Sequence, residues 1–83
     1  MAVRLHPHAQ ARLVERGATE TEVIDTVQSG KSFPAKFDRT KWRQNFAYNA
    51  DWKGKHYATK QVEAIASNEA GDWVVITVIV KFF

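Results

Sequence analysis

The run from Trp73 to Phe83, WVVITVIVKFF, is β-branched or aromatic at nearly every position and contains neither Gly nor Pro. Such side chains crowd the preceding turn of a helix but fit a pleated surface, so the run reads as a strand. With strict period two, Val74, Ile76, Val78, Val80 and Phe82 share one apolar face. Trp73, Val75, Thr77, Ile79 and Lys81 share the other, where a hydroxyl and a charge interrupt the apolar surface. A strand of this kind is central, with a core beneath it and a partly open surface above. Thr77 is the single hydroxyl between Val74 and Phe82, and a hydroxyl held there needs a hydrogen-bond partner.

The chain has 83 residues, so residues 1–83 are expected to form a single domain. A domain of this size buries about 60–65% of the surface its unfolded chain exposes, which limits its stability. Without Cys, neither disulfides nor thiolate metal sites are available. That suits a reducing cytoplasm, and the opening MAVRLHPHAQ lacks the apolar run of a secretory leader. The apolar end is too short to cross a bilayer and carries Lys81, so a cytoplasmic protein without membrane contact is expected.

The net charge is only +3, but it is unevenly spread. Between Lys31 and Lys60 lie eight basic residues against two acidic ones, while the rest of the chain has four basic and seven acidic. A basic middle with acidic flanks suits a phosphate backbone. Basic side chains also protect exposed strands from edge pairing, which is the plainer explanation.

In chain order, Val3–Leu5 is a short extended segment. Pro7, allowed in a first turn, starts a helix that ends at Arg16 with Gly17 as a left-handed terminator. Ala9 with Leu13, and Ala11 with Val14, give it a modest apolar stripe. His8, Arg12 and either Glu15 or Arg16 form a second stripe. Thr19 and Glu22 match a capping box and start a second helix, with Val23, Ile24 and Val27 inward and Gly30 ending it as Gly17 ends the first. Ser32–Phe37 is a weak strand that Pro34 confines to an edge. Trp42–Asn49 and Lys55–Ser67 are strands joined by a turn at Asp51–Gly54. Asn68–Gly71 is the next hairpin loop. The expected fold is α+β: two N-terminal helices packed on a four-stranded antiparallel β-meander.

Three stretches, HAQARLVERGATETEV, RTKWRQNFAYNADWKGKHYATKQVEAI and GDWVVITVIVKFF, cover nearly the whole chain. Together they resemble a family of small bacterial toxin-like domains of unassigned function, grouped with the barnase–EndoU–colicin–RelE ribonucleases. The most specific matches are His8 followed by Arg12 and Arg16-Gly17, the run Tyr57–Lys60, and Thr77. The resemblance implies N-terminal helices on a four-stranded antiparallel sheet and metal-independent RNA cleavage. An acidic antitoxin or immunity protein is a partner of the same kind of system.

Metal-free RNA cleavage needs a base for the 2′-hydroxyl, cations on the phosphoryl oxygens and an acid for the leaving 5′-oxygen. His serves proton transfer near neutrality, and Arg offers a planar fork to phosphate. The candidates are His8 as base or acid, Arg12 and Lys60 as phosphate clamps, and Thr77 as an orienting donor. Arg16, Lys41, Arg43, His56 and Tyr57 are candidate RNA contacts. Glu63 is a further base candidate, with an exposed sheet position as its simpler explanation. Plainer roles also fit the others: Arg12 paired with Glu15 on the helix surface, Arg16 over its own helix terminus, and the aromatic rings as packing. No metal or cofactor is expected, since His6 and His8 do not share a helical face and no acidic cluster accompanies them. The expected function is RNA binding with metal-independent endoribonuclease activity. The alternative is a catalytically silent RNA- or protein-binding domain of the same fold, one half of a toxin–antitoxin pair.

Overall fold

The computed structural model describes residues 2–83. Strand β1 (Val3–Leu5) leads into helices α1 (Pro7–Arg16) and α2 (Glu20–Ser29). Four strands follow: β2 (Lys31–Pro34), β3 (Thr40–Trp52), β4 (Lys55–Glu69) and β5 (Asp72–Phe82). They form one five-stranded sheet in the order β1-β5-β4-β3-β2. The α+β class with two helices is as expected, but the sheet is not a four-stranded antiparallel meander. The extended segment Val3–Leu5 joins it as a fifth strand, parallel to β5, through Val3↔Trp73 to Leu5↔Val75. Three residues whose partner lies some 70 positions away carry no local periodicity by which to be read.

Local chemistry sets the helix ends. Pro7 opens α1, and the His6 ring caps it by accepting the His8 amide at 3.1 Å. Gly17 ends α1 with φ +79°, the left-handed conformation that favours Gly. It is also pressed against Trp52 and Phe82, where a Cβ would stand 2.9 Å and 3.0 Å from their rings. The capping box of α2 is formed in full, Thr19 N–H donating to Glu22 at 2.9 Å and Glu22 N–H to the Thr19 hydroxyl at 3.1 Å. Gly30 does not end α2 as Gly17 ends α1. Its backbone is extended, at φ −77° and ψ 172°. Gly is needed there for space, because a Cβ would collide with the Thr26 carbonyl oxygen of α2 and lie 2.8 Å from the Arg43 carbonyl oxygen of β3.

The core lies between the helices and one face of the sheet. Leu13, Ala18, Val23 and Val27 from the helical layer meet Trp42, Val62, Ala64, Ala66, Val75 and Val78. Small side chains at 64 and 66 let α2 approach β4 closely. On α1 only Ala9 and Leu13 are buried. Ala11 faces solvent and Val14 is 87% exposed, so that expected half of the apolar stripe packs nothing.

Strict alternation fails once in β5. Ile65 pairs with Thr77 but Ala66 pairs with Val75, leaving Ile76 unpaired as a bulge. Trp73 and Val75 therefore share the helix-covered face with Val78, Val80 and Phe82, instead of lying opposite them. Thr77, Ile79 and Lys81 remain on the open face.

Candidate functional site

β1 ends at Leu5, and the His6 amide makes its last bond to β5, donating to the Val75 carbonyl at 2.8 Å. Pro7 then turns the chain into α1. Beyond Val75, β5 has α1 beside its edge in place of a strand. Between them lies a groove of about 300 Å³, lined by His8, Ala9, Arg12, Arg16, Ile76, Thr77 and Val78. Positions 8, 12 and 16 recur at four-residue intervals, so their side chains lie in a row along one side of the helix. The bulge at Ile76 supplies the opposite wall and presents Thr77.

Within the groove, Arg16 donates to the Val78 carbonyl at 3.0 Å. This ties α1 to the strand edge, a role different from covering its own helix terminus. Arg12 pairs with Glu15 at 3.3 Å, with both side chains roughly half exposed or more. Such a pair contributes only about 0.3–0.5 kcal/mol and yields readily to a better anion. His8 is exposed at the mouth. Two guanidinium groups, an imidazole and a hydroxyl thus converge on one open concavity.

Lys60 does not join them. It is 6% exposed, on the helix-covered face, and donates to the Gly17 carbonyl at 2.9 Å and to Glu22 at 2.7 Å. Its ammonium group also sits 5.3 Å from the Tyr48 ring. These bonds hold the turn between α1 and α2 to β4, and a clamp on substrate phosphate is not compatible with them. His56 and Tyr57 are also remote. They lie at the β3–β4 hairpin, about 30 Å along β4 from the row that contains Thr77. His56 meets Asp51 at 3.3 Å, and Tyr57 packs 5.5 Å from Phe82 in a ring cluster with Tyr48 and Trp52. Trp42 is likewise core, edge-on to Trp73 at 4.7 Å.

Lys41 and Arg43 lie on the open face of the sheet. Their pairing partners there are Phe33 and Lys31 of β2 and Ile65 and Glu63 of β4. Glu63 is not an exposed carboxylate: it is 4% exposed and accepts from Arg43 at 2.6 Å. Phe33 was not among the expected contacts. The period-two spacing of Lys31 and Phe33 on an edge strand was the available signal.

A second hollow, of about 330 Å³, is lined by Thr21, Glu22, Ile24, Asp25, Gln28 and Phe46. It offers two carboxylates and no cation, the wrong polarity for phosphate. Among the described residues, no three His, Asp or Glu side chains cluster closely enough to hold a metal ion. Nor, among the described residues, is any helix long and apolar enough to cross a membrane. Comparison with protein-family models, curated proteins and solved structures finds no match to this chain.

Proposed function

We propose that this chain binds RNA with one phosphate seated in the α1–β5 groove, and that His8 assists metal-independent cleavage of the adjoining phosphodiester. The observation that carries the reading is the shared groove of His8, Arg12, Arg16 and Thr77. The resemblance to toxin-like ribonucleases, read from the same residues, supports it.

Each group has a role its chemistry allows. Arg16 spends part of its five-donor fork on Val78 and keeps the rest for a phosphoryl oxygen. Arg12 exchanges its weak pair with Glu15 for the phosphate. The Thr77 hydroxyl donates to a non-bridging oxygen. Neutral His8 takes the 2′-hydroxyl proton as the 2′-oxygen attacks phosphorus. The bond to the 5′-oxygen breaks, and solvent at the open mouth supplies the proton to that leaving oxygen. The products are a 2′,3′-cyclic phosphate and a 5′-hydroxyl.

The second reading is RNA binding without cleavage. It is favoured by one observation: among the described residues His8 is the one imidazole or carboxylate lining the groove, and no second one stands ready as general acid. Incubation of wild-type protein and His8→Ala with RNA in chelator separates the readings. Cleavage requires a 2′-hydroxyl at the scissile position, and loss of His8 should slow it about 10²–10⁴-fold while binding persists. Binding without cleavage by the wild type selects the silent reading. Absence of both refutes the proposal.

A further inference from the structure

The open face of the sheet carries a row of paired residues that crosses four strands, Phe33↔Lys41↔Ile65↔Thr77. Strands lie about 4.8 Å apart, so the row runs about 14 Å from the groove to the far edge. The neighbouring row is Lys31↔Arg43↔Glu63↔Ile79. Around the partly exposed Phe33 ring stand three cations: Arg43 at 4.9 Å, Lys31 at 5.6 Å and Lys41 at 5.7 Å. The guanidinium of Arg43 is fixed by the buried Glu63 carboxylate at 2.6 Å. The Arg43 guanidinium lies over the ring, so the two planar groups form one stack with the Lys31 and Lys41 ammonium groups around it, a platform for a base with its phosphates on either side.

Resting on the groove as a phosphate site, we infer that the open sheet face is a second subsite for single-stranded RNA. One base stacks on the Phe33–Arg43 platform, Lys31 and Lys41 take the flanking phosphates, and the strand crosses Ile65 to reach Thr77 and the groove. The face is built for a nucleic acid more than for an acidic peptide, because a carboxylate chain has no use for the ring. It is built for a single strand more than for a duplex, because a paired base cannot lie flat on a ring set within a sheet.

Fluorescence anisotropy with a labelled 2′-O-methyl oligouridylate, which lacks the attacking hydroxyl, tests this without cleavage. Phe33→Leu keeps apolar bulk but loses the aromatic plane, and should weaken binding about 5- to 150-fold, as for one lost stack. Lys31→Gln and Lys41→Gln should each reduce the slope of log affinity against log salt by about 0.7. Arg12→Gln, in the groove, should weaken binding independently of Phe33. If Arg12→Gln weakens binding but Phe33→Leu and the two Lys variants do not, the sheet subsite is wrong and the groove reading survives. If the wild type does not bind the oligonucleotide, both fall. Equal affinity for the same oligonucleotide annealed to a complementary oligoadenylate overturns the single-strand assignment. Displacement by polyglutamate of matched charge, with Phe33→Leu silent, makes an acidic protein the occupant and also overturns it.

Discussion

Replacing Lys60 by Met should destabilise the fold by about 2–3 kcal/mol without removing a substrate contact. Met keeps most of the apolar stem. It loses two charge-assisted bonds, to the Gly17 carbonyl at 2.9 Å and to Glu22 at 2.7 Å. Each such bond contributes about 1.5–3 kcal/mol. Two such bonds sum to about 3–6 kcal/mol, and because the Glu22 side chain is 22% exposed, still caps Thr19 and recovers part of its loss through water, the net falls to about 2–3 kcal/mol. In a domain of this size that corresponds to about 10–20 °C in Tm. Urea melts followed by tryptophan fluorescence and circular dichroism measure it. A double-mutant cycle with Glu22→Gln should return a coupling of about 1–3 kcal/mol. The reasoning is refuted if Lys60→Met melts within 0.5 kcal/mol, on the order expected of an unremarkable surface change, yet lowers RNA affinity and its salt slope. That pair of results would put the ammonium group on a phosphate.

Two further substitutions test backbone readings. Gly30→Ala introduces no φ penalty but drives a Cβ against the Thr26 and Arg43 carbonyl oxygens, and should cost about 1–3 kcal/mol in a denaturant melt; an unchanged midpoint would mean that the end of α2 and its junction with β3 leave room for a side chain. Phe37 lies at φ +61° with its ring 83% exposed, so Phe37→Asn should raise stability by about 0.5–1 kcal/mol, and a lower Tm would show that the ring packs usefully against Arg39.

What could be read from the chain was what neighbours in sequence decide. Thr19 and Glu22 are three residues apart and specify the start of α2 between themselves. Gly17 needs only its own φ, and His8, Arg12 and Arg16 need only helical spacing to share a groove wall. The turn expected at Asp51–Gly54 narrows to Lys53 at φ +51° and Gly54 at +85°, a local matter, while Asp51 and Trp52 extend β3 because they pair with His56 and Lys55. The misreadings required distant partners. Lys60 looked like a spare cation in a strand because Glu22 and Gly17, which neutralise and hold it, lie 38 and 43 residues away. Gly30 resembles Gly17 in sequence, but its extended backbone sets a Cβ against two carbonyls, Thr26 of its own helix and Arg43 of the distant β3. Phe33 carries only half of its signal locally, because its cations come from both β2 and β3.

The irregularity at Ile76 makes chain length a matter of parity. Removing that one residue would leave Val75 and Val78 pointing inward and Thr77 pointing outward, since an uninterrupted count through 75, 77 and 78 already alternates. Removing a residue in the regular stretch between Val78 and Phe82 would instead turn the remaining apolar side chains towards solvent. A shortened protein lacking Ile76 should therefore still assemble its interior while its straightened strand reshapes the cleft beside the first helix, separating the scaffold from the cleft by a single codon.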